Sequence, residues 1–297
     1  MSDQLAIETH DLRKSYGSVR ALRGIDVQVR QGEIFGFLGP NGAGKTTTIR
    51  CLLDLIRPNG GTARVLGIDP QVDPVSVRAR VGYLPGELRF EQNMTVEGAL
   101  RFLNGLRNGR AEWGYVRELA GRLDLDLKAT IKNLSKGNKQ KVGIVQAMMH
   151  RPELLMLDEP TVGLDPLMQR QVLRMVGEAR AAGATVFFSS HNLPEVEEIA
   201  DRVGIIRRGL LVEVAETREL VGRALRRVRV RFGEPIEPVA LAGVPGVTVI
   251  SEDEGLGVTL QVEGEMGPLI RALATMPVLS LETERPSLEE IFLAYYQ

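Results

Sequence analysis

Gly39-Pro40-Asn41-Gly42-Ala43-Gly44-Lys45-Thr46-Thr47 sets a lysine and two hydroxyls behind a turn carrying three glycines. The GxxxxGK[ST] spacing suits a nucleoside triphosphate. Glycine lets the backbone wrap closely, so that several N–H groups point inward at phosphate oxygens. Lys45 adds a mobile positive charge for the outer phosphates, and the Thr46 hydroxyl suits a magnesium ion. A helix beginning near Thr46 turns its positive dipole end toward the same anion. A second constellation, Leu157-Asp158-Glu159-Pro160, closes an apolar run with two carboxylates. The first suits magnesium, directly or through water, and the second stands one residue on, where it can orient and deprotonate an attacking water.

These residues need a scaffold that brings them together. Ile34 to Leu38 reads as a buried strand before the glycine turn, and Thr46 to Leu55 as the helix after it. Leu5 to His10, Ile25 to Arg30 and Thr62 to Leu66 read as short strands of a peripheral sheet, with Pro58-Asn59-Gly60-Gly61 as a turn. Val81 to Pro85 is a short strand ended by proline. Thr95 to Asp124 carries helical stripes at Leu100, Leu103 and Leu106, then at Val116, Leu119 and Leu123. Leu154 to Leu157 and Thr185 to Ser189 are wholly apolar or nearly so, as central parallel strands are, and a helix from Leu167 to Ala182 separates them. Pro194 to Ile199 is predicted helical, and Val203 to Ile206 and Leu210 to Val214 as strands. Strand alternating with helix predicts a doubly wound parallel sheet with its ligand at the carboxyl ends of the strands. The stretch from about Glu87 to Pro152 is too long for an ordinary connection and reads as an inserted helical subdomain. Beyond Gly222, alternation at Val228–Phe232, Val247–Ser251, Gly257–Val262 and Val278–Thr283, with helices at Met266–Thr275 and from Ser287, predicts a small α+β domain over 223–297.

Leu134-Ser135-Lys136-Gly137-Asn138 precedes a helix with apolar Val142, Val145 and Met149. A serine there serves as an N-cap, and the same geometry offers N–H groups and a hydroxyl to an anion. Together with Asp158 and Glu159, this segment resembles the signature motif of ATP-binding cassette (ABC) proteins. The resemblance spans residues 3 to about 222. It implies a P-loop α/β fold with a parallel core sheet, a peripheral antiparallel β subdomain and the helical insertion. ATP and Mg2+ are the implied cofactors. Tyr16 matches the aromatic residue that stacks on adenine, Gly163-Leu164-Asp165 the D-loop, and Ser190-His191 the switch histidine that senses the γ-phosphate. Thr46 and Asp158 are the implied magnesium ligands, and Lys45, Glu159 and His191 the implied catalytic groups. Ser135 and Gly137 are expected to reach the nucleotide of a second cassette, in trans. Where the family commonly has a glutamine after Tyr83-Leu84-Pro85, this chain has Gly86, and Glu87 is the candidate substitute, displaced by one position.

Arg285-Pro286-Ser287-Leu288-Glu289-Glu290-Ile291-Phe292-Leu293 resembles the ending of drug and antibiotic exporter ATPases, which work with a separate permease chain. Leu288, Ile291 and Phe292 suit either packing on their own domain or contact in a dimer. The implied function is an ATPase that energises export, paired with a second copy or a paralogue and held at the cytoplasmic face of the membrane by its permease. A cassette ATPase acting in translation, DNA repair or chromosome structure, and a regulatory cassette that does not turn ATP over, are the competing classes. The 297 residues carry a formal net charge of −1 with 43% hydrophobic residues, so no nucleic-acid partner is expected. The single cysteine, Cys51, excludes an intrachain disulfide. Met1-Ser2-Asp3-Gln4 begins no signal peptide, and no run approaches the roughly 18 apolar residues of a membrane span.

Overall fold

Strands that are apolar on consecutive residues need burial on both faces, which only the middle of a covered sheet provides. In the computed structural model, which describes residues 4–219, 226–237, 239–253 and 256–284, three such strands form that middle. They are β4 (Ile34–Leu38), β7 (Leu154–Asp158) and β8 (Thr185–Ser190), each buried along its whole length. With β6 (Val81–Leu84), β9 (Arg202–Arg207) and β10 (Leu210–Glu216) they make a six-stranded sheet of order β10-β9-β4-β8-β7-β6. The ladders from β9 to β6 are parallel. β10 departs from the purely parallel expectation, because it folds back antiparallel on β9. The two linking residues, Arg208 and Gly209, both have positive φ (48° and 75°), the conformation of a tight hairpin whose twist matches its strands.

The protein divides into two compact units, Met1–Glu216 and Thr217–Gln297. In the first unit a peripheral antiparallel sheet joins β1 (Leu5–Tyr16), β2 (Val19–Ile25), β3 (Gln28–Arg30) and β5 (Gly60–Val65). β2 escapes the sequence reading because only Leu22 and Ile25 turn inward, too few for a visible alternation. α1 (Lys45–Leu52) follows β4, and its Ile49 and Leu52 pack into the core beside Phe35, Phe37 and Phe187. α2 (Pro74–Arg80) was not anticipated, although Asp73 caps it by accepting the Ser76 N–H at 3.0 Å and Pro74 opens its first turn. Between β6 and β7 lie α3 (Val96–Leu106), α4 (Trp113–Arg122), a 3₁₀ turn at Ile131–Asn133 and α5 (Lys136–Met148). α6 (Pro166–Ala181) leads into β8 and α7 (Leu193–Ile199) out of it.

The second unit holds a four-stranded antiparallel sheet, β12-β13-β11-β14, from β11 (Arg226–Phe232), β12 (Val247–Asp253), β13 (Gly257–Val262) and β14 (Val278–Glu284). Val228, Val230, Phe232 and Leu260 bury against Leu269 and Leu273 of the helix Gly267–Leu273. The last helix expected from Ser287, and the passage around Gly222, lie outside the described residues.

His150, just past α5, supplies a test of this packing. Burial, reinforced by the nearby Arg107 and Arg110 guanidiniums, pushes its imidazole down to about 4. Because the folded value lies below the unfolded one, the unfolded chain takes the proton first as pH falls. Stability from neutral His150 is therefore complete above about pH 6.5 and is lost progressively as pH falls toward 4. Urea unfolding at pH 7 and pH 5 should show wild type losing about 1 kcal/mol more than His150→Gln, the figure being reduced for solvent screening.

Candidate functional site

The site is assembled at the carboxyl edge of the central sheet. β4 delivers the chain to Gly39, and the loop to Gly44 ends where α1 begins. Gly44 holds φ +117°, and a Cβ there would stand 2.8 Å from the Ala21 carbonyl, so a side chain is barred on both counts. Lys45, the first residue of α1, is only 5% exposed. Its ammonium donates to the Gly39 carbonyl at 2.6 Å and to the Pro40 carbonyl at 3.3 Å, so the lysine buttresses its own loop. Asn41 and Gly42 are exposed at the loop tip, Ala43 is buried, and Thr47 is half-buried.

Register places the acidic pair opposite this loop. Asp158 ends β7 beside Ser189 of β8, while Leu38 of β4 lies beside Ser190. Asp158 is fully buried, and its two oxygens accept from two hydroxyls: Ser189 Oγ at 2.6 Å and Thr46 Oγ1 at 2.7 Å. Glu159 turns sharply out of the strand with φ +54°, a conformation uncommon outside glycine and asparagine and one associated with functional turns. Its N–H donates to Ser189 Oγ at 3.1 Å, and its carbonyl and that of Pro160 both accept from Gln140 Nε2 at 3.1 Å. The turn swings the Glu159 carboxylate between two nitrogens, Lys45 Nζ at 3.0 Å and His191 Nδ1 at 2.6 Å. For that short contact Nδ1 carries the proton and donates it, which leaves Nε2 directed elsewhere; His191 itself is half exposed. Three stretches far apart in sequence, at Lys45-Thr46, Asp158-Glu159 and His191, thus share one polar cluster.

The remaining expected residues stand apart from that cluster within the chain. Ser135 is the N-cap of α5, and its Oγ accepts the Asn138 N–H at 3.2 Å. Gly137, in the first turn of α5, packs on the loop after β7, and a Cβ there would lie 2.6 Å from the Gly163 carbonyl. Asp165 in turn caps α6 by accepting from Leu167 and Met168 N–H. Tyr16 ends β1 with 47% of its surface exposed, and the Lys14 ammonium sits 5.4 Å from its ring centre. Glu87 is highly exposed, and its carboxylate lies 4.0 Å from Arg89 rather than at the magnesium-ligand candidates. Position 86 is the one that faces them, since a Cβ on Gly86 would stand 3.0 Å from Asp158 Oδ2. Ser189 and Gln140 were not anticipated as parts of the site. The visible signal was the Ser189-Ser190 pair ending an otherwise apolar strand.

Comparison with known proteins agrees with this geometry. The ABC transporter family pattern matches residues 22–162, and that of the DrrA1-3-like ATP-binding protein C-terminal domain matches residues 213–296. The daunorubicin/doxorubicin resistance ATP-binding protein DrrA of Streptomyces peucetius is 34% identical over 306 residues, covering 97% of this chain and 92% of its own. The bacitracin transport ATP-binding protein BcrA of Bacillus licheniformis is 40% identical over 211 residues, 70% of this chain and 68% of its own. A solved ATP-binding subunit of an ABC transporter superposes with a TM-score of 0.66 at 31% identity, over 72% of this chain and 91% of that one. With a glycine-rich loop, a buried aspartate and a glutamate–histidine pair at one sheet edge, and relatives matched over nearly its whole length, the chain belongs to the ABC transporter family as an ATP-binding, ATP-hydrolysing subunit.

Proposed function

We propose that this ATPase drives export of a drug- or antibiotic-like small molecule through a separate membrane permease, with ATP hydrolysed between two cassettes. The observation that carries the catalytic part is the Glu159 carboxylate, held between the Lys45 ammonium and the His191 imidazole. A carboxylate so placed can accept a proton from water while the imidazole fixes its orientation. The loop Gly39–Thr47 wraps the phosphates, and Lys45 offsets their charge as it builds up on the transferring group. Tyr16, exposed at the end of β1, offers a ring face to adenine.

The Thr46 hydroxyl and the Asp158 carboxylate, 2.7 Å apart, present oxygen donors only, and this set fits Mg2+. When bound there, the ion would neutralise phosphate charge; Thr46 and Asp158 are the residues that would hold it. Ser135 and Gly137, at the exposed start of α5, are assigned to the nucleotide of the opposing cassette. There the helix's N–H groups and the Ser135 hydroxyl would meet the γ-phosphate. The pairing partner is a second copy or a paralogue.

Association with a membrane is assigned to the permease; no helix among the described residues is long and apolar enough to cross one. A groove of about 270 Å³ beside β6, lined by Tyr83, Pro85, Leu88, Phe90 and Leu103 with Arg107, offers an apolar seat with a cationic rim. It adjoins Gly86, so a permease segment seated there would touch the backbone that lies against Asp158. The cargo class rests on the relatives named for daunorubicin and doxorubicin resistance and for bacitracin transport.

Glu159→Gln should retain ATP binding within about threefold and lose hydrolysis by about a hundredfold or more, measured by nucleotide titration and phosphate release. Hydrolysis within a few fold of wild type would remove Glu159 as the base. Affinity-tagged chain purified from detergent-extracted membranes should bring down a multispanning protein, and cells lacking the chain should grow more sensitive to some members of a drug panel. Recovery solely from the soluble fraction, with unchanged sensitivity, would overturn the export reading.

A further inference from the structure

Behind the Glu159–His191 pair lies a second carboxylate with no part in the chemistry above. Glu195, on α7, is 9% exposed. Thr161 Oγ1 donates to its Oε1 at 2.7 Å, Ser190 Oγ to its Oε2 at 2.9 Å, and Asn192 Nδ2 to Oε1 at 3.2 Å. None of these donors is a cation. A buried carboxylate held by neutral groups alone is costly, and packing alone would be served more cheaply by an apolar or amide side chain.

The origin of the donors suggests what the acid does. Thr161 stands two residues after Glu159, in the turn whose carbonyls Gln140 also holds. Ser190 immediately precedes His191, and its carbonyl accepts the Gly39 N–H at 3.2 Å, where the phosphate loop begins. The Glu195 carboxylate therefore ties together the two backbone segments that carry the base and the imidazole, with the start of the loop attached to one of them. A carboxylate is acceptor-only at both oxygens, so it draws in both hydroxyls at once, and bonds to it are shorter and stronger than neutral ones. A glutamine has one such oxygen.

We infer that Glu195 is a positioning residue for ATP hydrolysis, bracing the Glu159 turn against the end of β8 so that the 2.6 Å Glu159–His191 contact is held ready. The inference rests on the reading of Glu159 as base and His191 as its orienting partner. A displacement of about 1 Å in such a pair can cost up to a hundredfold in rate while leaving binding alone.

The test is steady-state and single-turnover hydrolysis by the whole 297-residue chain. Glu195→Ala should lower kcat about tenfold or more with the KM for ATP within about twofold of wild type. Glu195→Gln should recover part of the loss, and Thr161→Val should show a smaller one of the same kind. Should Glu195→Ala not fold, Thr161→Val carries the same test. Adding Glu195→Ala to Glu159→Gln should produce no further loss, because a residue acting through Glu159 has nothing left to position. The inference is overturned by Glu195→Ala turning over within twofold of wild type. It is equally overturned by losses that multiply in the double variant, or by a fall in kcat matched by KM and thermal midpoint that glutamine does not relieve. Unimpaired hydrolysis in Glu159→Gln would remove the underlying reading as well, whereas full activity in Glu195→Ala alone, with Glu159→Gln inactive, removes only this brace.

Discussion

An ammonium with 5% exposure, at the first residue of a helix whose own dipole is positive there, is an unfavourable placement for a charge. Lys45 is held in it by the Gly39 and Pro40 carbonyls and by the Glu159 carboxylate. The first two are local, set by the curl of the loop. The third reaches from the start of α1, after β4, to the end of β7, and depends on the intervening strand β8 keeping its register. The glycine-rich loop and the acidic end of β7 therefore meet on a single ammonium. The rest of the molecule can be understood as what keeps that contact at 3.0 Å.

Asp158 shows how closely the surroundings are matched to this task. Its oxygens are each engaged by a hydroxyl, one from β8 and one from α1, so a buried carboxylate couples the strand to the helix that carries Lys45. The backbone at Gly86 lies against Oδ2, where even a Cβ would be tight. Its neighbours Pro85 and Leu88 line the apolar groove.

The second unit is stabilised by different means. Its strand β11 alternates, with Val228, Val230 and Phe232 inward and Arg229 and Arg231 outward. Cross-strand pairing of Arg229 with Glu284 at 3.1 Å balances part of the outward charge. No constellation comparable to the Lys45 cluster is present among its described residues, and it is similar to the C-terminal domain of DrrA1-3-like ATP-binding proteins.

Much of the first unit was legible in the chain because its signals are local. The glycine-rich loop, the apolar runs of β4, β7 and β8, and the cap at Ser135 follow from residue type and spacing alone. So does the acidic pair at the end of β7. Short elements were less legible: β2 buries two residues, and α2 announces itself only through Asp73-Pro74. Glu87 was the natural substitute by charge, yet register turns it toward solvent and brings Gly86 to Asp158. Ser189, Gln140 and Glu195 carry no motif, because each depends on a partner 19 to 34 residues away in sequence, beside the near ones of Glu195. Sequence by itself determined which chemistry this protein is built for. Only the tertiary structure decided which side chains meet, because parallel strand register is a long-range property that no window of neighbouring residues contains.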